Sequence, residues 1–244
     1  ALYWTVVGPL LLFCGVLFLV FHERRMNLFS SHSDLLFCMT IPIIAGAYSG
    51  LFGIRITTGE KERGVIETTL CMPVSPLELA FGKYSAICLT ALLGASLVPT
   101  LVALQWLLKL TFGVDPGEAA FDAHLSQSTL AVAVHMVGTA LTVSALVLTI
   151  GSLTQSMTES NIALNILTLA VMLGPIYAIR GDMQLTVSTA LIPLLNGVFL
   201  IREVFDNATG LAYSPIILSV SAATAWGAVT CARKTLTAEL KTAV

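Results

Sequence analysis

Apolar runs of about 20 residues, the length a helix needs to cross a bilayer, recur along this 244-residue chain and leave little room for anything else. They are expected to form spans at about 2–21, 35–54, 80–108, 128–153, 157–178 and 211–232. Inside hydrocarbon every backbone N–H and C=O must be paired within its own segment, so runs of this kind fold as helices. The expected fold class is therefore all-α, a polytopic membrane protein in which 1–244 forms a single transmembrane domain with six transmembrane helices. Composition agrees, since only 11% of residues are charged against ~25% in soluble domains. A net charge of −2 and the lack of a basic stripe argue against a nucleic-acid partner.

The connections carry the remaining signals. The run at 2–21 has no basic anchor ahead of it and is too long for the apolar core of a signal peptide. A preceding cytoplasmic segment of a longer chain is expected. The second run holds small residues (Ala45, Gly46, Ala47, Ser49, Gly50, Gly53), which let helix backbones approach where lipid removes the hydrophobic drive to associate. Asp115-Pro116-Gly117 reads as a turn. Ser156 and Glu159 form a capping-box pattern that starts the helix at 157. The segment 187–205 has an apolar stretch only from Leu191 to Ile201, broken by Pro193, Asn196 and Gly197, which suits a short external re-entrant helix better than a span. The five cysteines, Cys14, Cys38, Cys71, Cys88 and Cys231, lack C-x-x-C spacing and read as apolar fillers, not a disulfide or metal framework.

One long stretch between two apolar runs is dense in charge: residues 57–85, with Glu60, Lys61, Glu62, Arg63, Glu67, Glu78 and Lys83. Thr57 and Glu60 stand at capping-box spacing, so a helix is expected over about 58–71. Glu60, Arg63 and Glu67 would share one polar face of it. Pro73 and Pro76 end that helix. Ser75-Pro76-Leu77-Glu78 then restarts one, with Ser75 as N-cap, Pro76 at the first helical position and Glu78 closing a second box.

The stretch GEKERGVIETTLCMPVSPLELAFGK at 59–83 resembles the cytoplasmic loop of ABC-2 type permeases, in particular the sodium-efflux branch. The matching positions are Glu60, Glu62, Gly64, Glu67, Pro73, Ser75, Glu78, Leu79, Gly82 and Lys83. IPLLNGVFLIREVF at 192–205 is similar to the same branch's segment before its last span. The resemblance implies a six-span subunit with a cytoplasmic coupling helix, seated on a separate ABC ATPase dimer that binds ATP and Mg, and facing a second permease subunit. No cofactor is then bound by this chain. It also implies efflux across a bacterial inner membrane, with Glu60, Glu62, Arg63, Glu67, Pro73, Ser75, Pro76 and Glu78 as the ATPase-coupling residues. Na⁺ as cargo comes from the resemblance alone. In that branch a large external domain follows the first span, where this chain has only the polar connection 22–34. With the 55–83 loop inside, the Lys/Arg count is seven on that face against five on the other, which favours both termini cytoplasmic.

Enzyme motifs are missing. Gly82-Lys83-Tyr84 has Leu77 where a phosphate-binding loop needs its first glycine. His22-Glu23-Arg24-Arg25-Met26 has methionine in place of the second zinc-ligating histidine. No G-x-S-x-G elbow occurs. Within the expected spans the one ionisable side chain that stands out is His135, either a translocation-path group or a neutral imidazole bonded to a neighbouring helix. Gln105, Asn161 and Asn165 are further path candidates, the two asparagines sharing a helix face at i, i+4, or else they are interhelical glue. Arg202 and Glu203, after the re-entrant segment, read as an external gate or as headgroup anchors. Two other classes stay open: a membrane anchor or scaffold of a larger complex, and a channel or transporter that works without an ATPase.

Overall fold

The computed structural model describes residues 33–65, 73–112, 125–180, 185–206 and 208–243. The described residues are helical, with no strand among them. In order they are α1 (Ser33–Ile56), α2 (Thr58–Glu62), α3 (Pro76–Phe112), α4 (Leu125–Leu153), α5 (Met157–Arg180), α6 (Val187–Ala190), α7 (Leu195–Asp206), a 3-10 helix (Ala208–Tyr213) and α8 (Ser214–Ala243). Among the described residues four helical stretches are long and apolar enough to cross a membrane: Thr40–Glu62, Pro76–Thr100, Thr129–Leu153 and Gly210–Glu239. The expected span at 2–21 lies outside the described residues.

Helix α4 is the axle of the bundle, with 61% of its apolar stretch buried against 33% for those of α3 and α8. It packs against α8, α1, α3 and α7. Its contacts with α1 and α3 run through alanines with no exposed surface (Ala45, Ala91, Ala95, Ala140), so the backbones close up as membrane helices do when van der Waals packing must hold them. Val143 and Val147 face Gly46 and Gly53 of α1, and Gly138 faces Ile217 and Ser221 of α8. Leu148 shares one buried cluster with Ala225, Val229 and Ala232 of α8. The outer faces are greasy instead of polar. Leu89, Leu93 and Leu97 form an i, i+4, i+8 stripe on α3 with 61%, 59% and 39% exposure. Ile162 and Ile166 do the same on α5. A surface like this is at home in lipid and a liability in water.

The chain runs up and down, so α1 ends, α3 begins, α4 ends, α5 begins and α8 ends near one another, around the charged elbow. At the other end α6 and α7 lie over the start of α4 and the start of α8, through Leu200, Ile201, Ala131 and Ile217.

Two local expectations need correction. The helix expected over 58–71 is interrupted, because α2 stops at Glu62 and Gly64 takes a left-handed φ of +69° that glycine tolerates. Residues 66–72, Glu67 among them, lie outside the described residues. The segment at 187–205 is not one helix: α6 and α7 are separated by a turn at 191–194, where Leu194 has φ 73°. Asn196 holds the break, donating from Nδ2 to the Ala190 carbonyl (3.2 Å).

Gly53 tests the packing. A Cβ there would press on Val147 and on Ile87 (3.2 Å), whereas one at Gly82 would meet nothing. Gly53→Leu is expected to lose about 1–3 kcal/mol through overpacking, seen as a lower unfolding temperature in detergent. Gly82→Leu should hold or raise it, and equal behaviour of the two variants would refute this packing.

Candidate functional site

The elbow is built from three consecutive charged residues that reach in different directions. Glu60 accepts from the Lys83 ammonium on α3 (2.6 Å). Lys61 pairs with Glu239 on α8 (2.9 Å) and donates to the Ser152 carbonyl at the end of α4 (2.5 Å). Glu62 accepts from the backbone N–H of Met157, the first residue of α5 (3.0 Å). A carboxylate at a helix N-terminus satisfies an orphan donor and complements the helix dipole. One turn of helix therefore fastens four others. Both lysines are deep, with side chains 8% (Lys61) and 10% (Lys83) exposed.

Beneath this fan lies a knot of hydroxyls. Thr58 is fully buried; its Oγ1 donates to the Gly151 carbonyl (3.1 Å) and lies 2.6 Å from Ser160 Oγ and 3.1 Å from Thr154 Oγ1. Thr154 and Ser160 also bond to each other. Gly151 is required here, since a Cβ would collide with Thr57.

The capping box expected at Thr57 and Glu60 does not form. Thr57 is buried against Gly151 and turns its hydroxyl back to the Gly53 carbonyl (2.6 Å), while Glu60 is drawn to Lys83. The box at Ser75 and Glu78 is complete: the Ser75 N–H donates to Glu78 (2.8 Å) and the Glu78 N–H to Ser75 Oγ (3.2 Å). The pair at Ser156 and Glu159 is half a box, because Glu159 takes the N–H of Gln155 instead. Of the charged residues expected to contact a partner, Glu60, Glu62 and Glu78 thus have intramolecular tasks. Arg63 is exposed, at the C-cap of α2. Pro73 and Ser75 are exposed as well, with Pro76 opening α3.

The path candidates do not converge. Asn161 and Asn165 line one pocket with Thr168 and Leu164 of α5, opposite Gly46 and Gly50 of α1. Gln105 lies in the last two turns of α3. His135 is buried on α4, with Nδ1 3.3 Å from Thr139 Oγ1. Its ring rests on Gly197 of α7, where any Cβ would overlap it. That contact is 17 residues before Ser152, or about 25 Å along the helix from the elbow. Arg202 and Glu203 are half-buried on α7, with Glu203 tucked under Gly210. Among the described residues no cluster of His, Cys, Asp or Glu could hold a metal ion.

Glu239, Thr58, Thr154 and Ser160 were not legible as site residues. None stands in a recognisable local motif, and their partners lie about a hundred or more positions away, apart from the Thr154–Ser160 contact. Thr186 and Thr189 form a complete capping box at α6 that a search for a glutamate at the third position passes over.

Four apolar helices among the described residues, all of which are helix or connection with no strand, mark a membrane-embedded protein. No protein-family model, curated protein or solved structure matches the chain.

Lys61→Met removes the ion pair to Glu239 and the bond to Ser152 together. It is expected to cost about 1.5–3 kcal/mol, the range for hydrogen bonds to charged groups, measured by thermal unfolding in detergent. Arg63→Met should stay within ~0.5 kcal/mol of wild type. Similar losses in both would contradict the bracing role given to Lys61.

Proposed function

We propose that this chain is the membrane-spanning subunit of an ATP-driven ABC-2 type exporter, moved by a separate ATPase that binds ATP and Mg. The observation that carries the reading is the braced elbow. A charged turn fixed to the ends of four helices is a handle: a displacement applied there moves those helices together instead of being absorbed by a slack loop. The motif resemblance at 59–83 names the hand that would grip it.

In this mechanism the ATPase dimer closes on ATP, presses on the elbow, and shifts the bundle between inward- and outward-open arrangements. The two states must differ in their contacts with the motor, since a partner that binds both equally shifts neither. Arg63, with Pro73 and Ser75, forms the docking face, while Glu60, Lys61 and Glu62 transmit the load. The stiff restart at Ser75, Pro76 and Glu78 sets the angle at which α3 leaves the elbow. A second permease subunit completes the pathway, whose polar lining here is Asn161 and Asn165. The elbow faces the cytoplasm of a bacterial cell, and the segment over α6 and α7, with Arg202 and Glu203, faces outward.

Tagged protein extracted from its native membrane in mild detergent should bring down an ATPase subunit in stoichiometric amount, identified by mass spectrometry. Arg63→Glu is expected to reduce that recovery at least tenfold while leaving membrane insertion intact. Wild-type protein that comes down with no ATPase refutes the exporter. Full recovery with Arg63→Glu refutes the docking face alone.

A further inference from the structure

Charge at the elbow end is divided unevenly between inside and outside. Each described carboxylate there has an intramolecular partner: Glu60 with Lys83, Glu239 with Lys61, and Glu62, Glu78 and Glu159 with backbone N–H groups. The cations Arg55, Arg233 and Lys234 are exposed, and none is in an ion pair among the described residues. They sit at matching heights. Arg55 is in the last turn of α1, and Arg233 and Lys234 precede Glu239, the residue that meets the elbow.

Large apolar groups lie just below them on the same faces. Tyr48 (49% exposed), Phe52 (39%) and Arg55 are spaced i, i+4, i+7 on α1. Trp226, 62% exposed, stands seven residues before Arg233 on α8, two turns and about 10 Å lower. An aromatic ring followed by a cation is the order met on passing from acyl chains to headgroups, where rings settle at the boundary and long basic side chains reach up to phosphate. A soluble acidic partner would explain the cations and leave the exposed rings beneath them without a role.

We propose that Arg55, Arg233 and Lys234 form a binding collar for anionic lipid headgroups at the elbow end of the bundle. The collar is independent of the ATPase and of the exporter reading. It anchors the ends of α1 and α8 at the membrane surface, so that the elbow between them is held at a set depth.

The test is native mass spectrometry of the full chain in detergent, titrated with phosphatidylglycerol or phosphatidylcholine. Wild type should retain phosphatidylglycerol preferentially, and the preference should fall as salt rises and screens the contacts. At about fivefold per surface cation, Arg55→Gln/Arg233→Gln/Lys234→Gln should lose roughly a hundredfold, while Arg55→Lys/Arg233→Lys/Lys234→Arg keeps the preference. Equal retention of the two lipids by wild type overturns the collar, whatever the variants do. So does an undiminished preference in the glutamine variant, or displacement of the lipid from these cations by soluble polyglutamate at equal charge concentration.

Discussion

The fan formed by Glu60, Lys61 and Glu62 decides what kind of object the elbow is. Any one of its bonds is modest, since a hydrogen bond or an exposed ion pair contributes on the order of 1 kcal/mol. Their arrangement matters more than their sum. Adjacent residues in one turn of helix fix α3, α4, α5 and α8 relative to α1, and the nearly buried Lys61 cannot lose Glu239 without leaving a charge stranded. Membrane helices pack without a hydrophobic drive to choose among registers. A pair at the bundle's end whose lysine is nearly buried supplies that choice, as a single polar group does in a coiled coil.

The two ends of the molecule are then unlike. The elbow end is tied by charge and hydroxyls, with Thr58 at the centre of the knot. The other end is tied by shape: α7 lays Phe199, Leu200 and Ile201 into the bundle, and Gly197 makes room for the His135 ring. Helix α4 is common to both, since it carries His135 near its start and Ser152 at its end. One continuous helix thus joins the two ends.

Of the six expected spans, those at 35–54, 80–108, 128–153 and 211–232 fall on helices long and apolar enough to cross a membrane. These were legible because they follow from hydropathy, and lipid leaves the backbone no other choice. The Ser75 box was legible because serine, proline and glutamate act within one turn and nothing tertiary competes for them. The Thr57 box looked the same in sequence and failed. Gly151 lets α4 approach until Thr57 is buried, and Lys83 outbids the backbone for Glu60. The continuous helix to 71 failed at Gly64, whose left-handed turn was read only as a motif position. The fan itself had no local signature, because Lys61 and Glu239 lie 178 positions apart in the chain. Glu60, Glu62 and Glu78 looked like surface charge available to a partner, and in the structure each has an internal partner instead.

Amide hydrogen exchange followed by mass spectrometry, on the protein in nanodiscs, addresses the bracing most directly. The peptide spanning 57–65 should exchange as slowly as the neighbouring ends of α4 and α8, as part of one cooperative unit. Exchange at the rate of an unstructured loop, with those helix ends still protected, would show an elbow hanging free of the bundle and contradict the account.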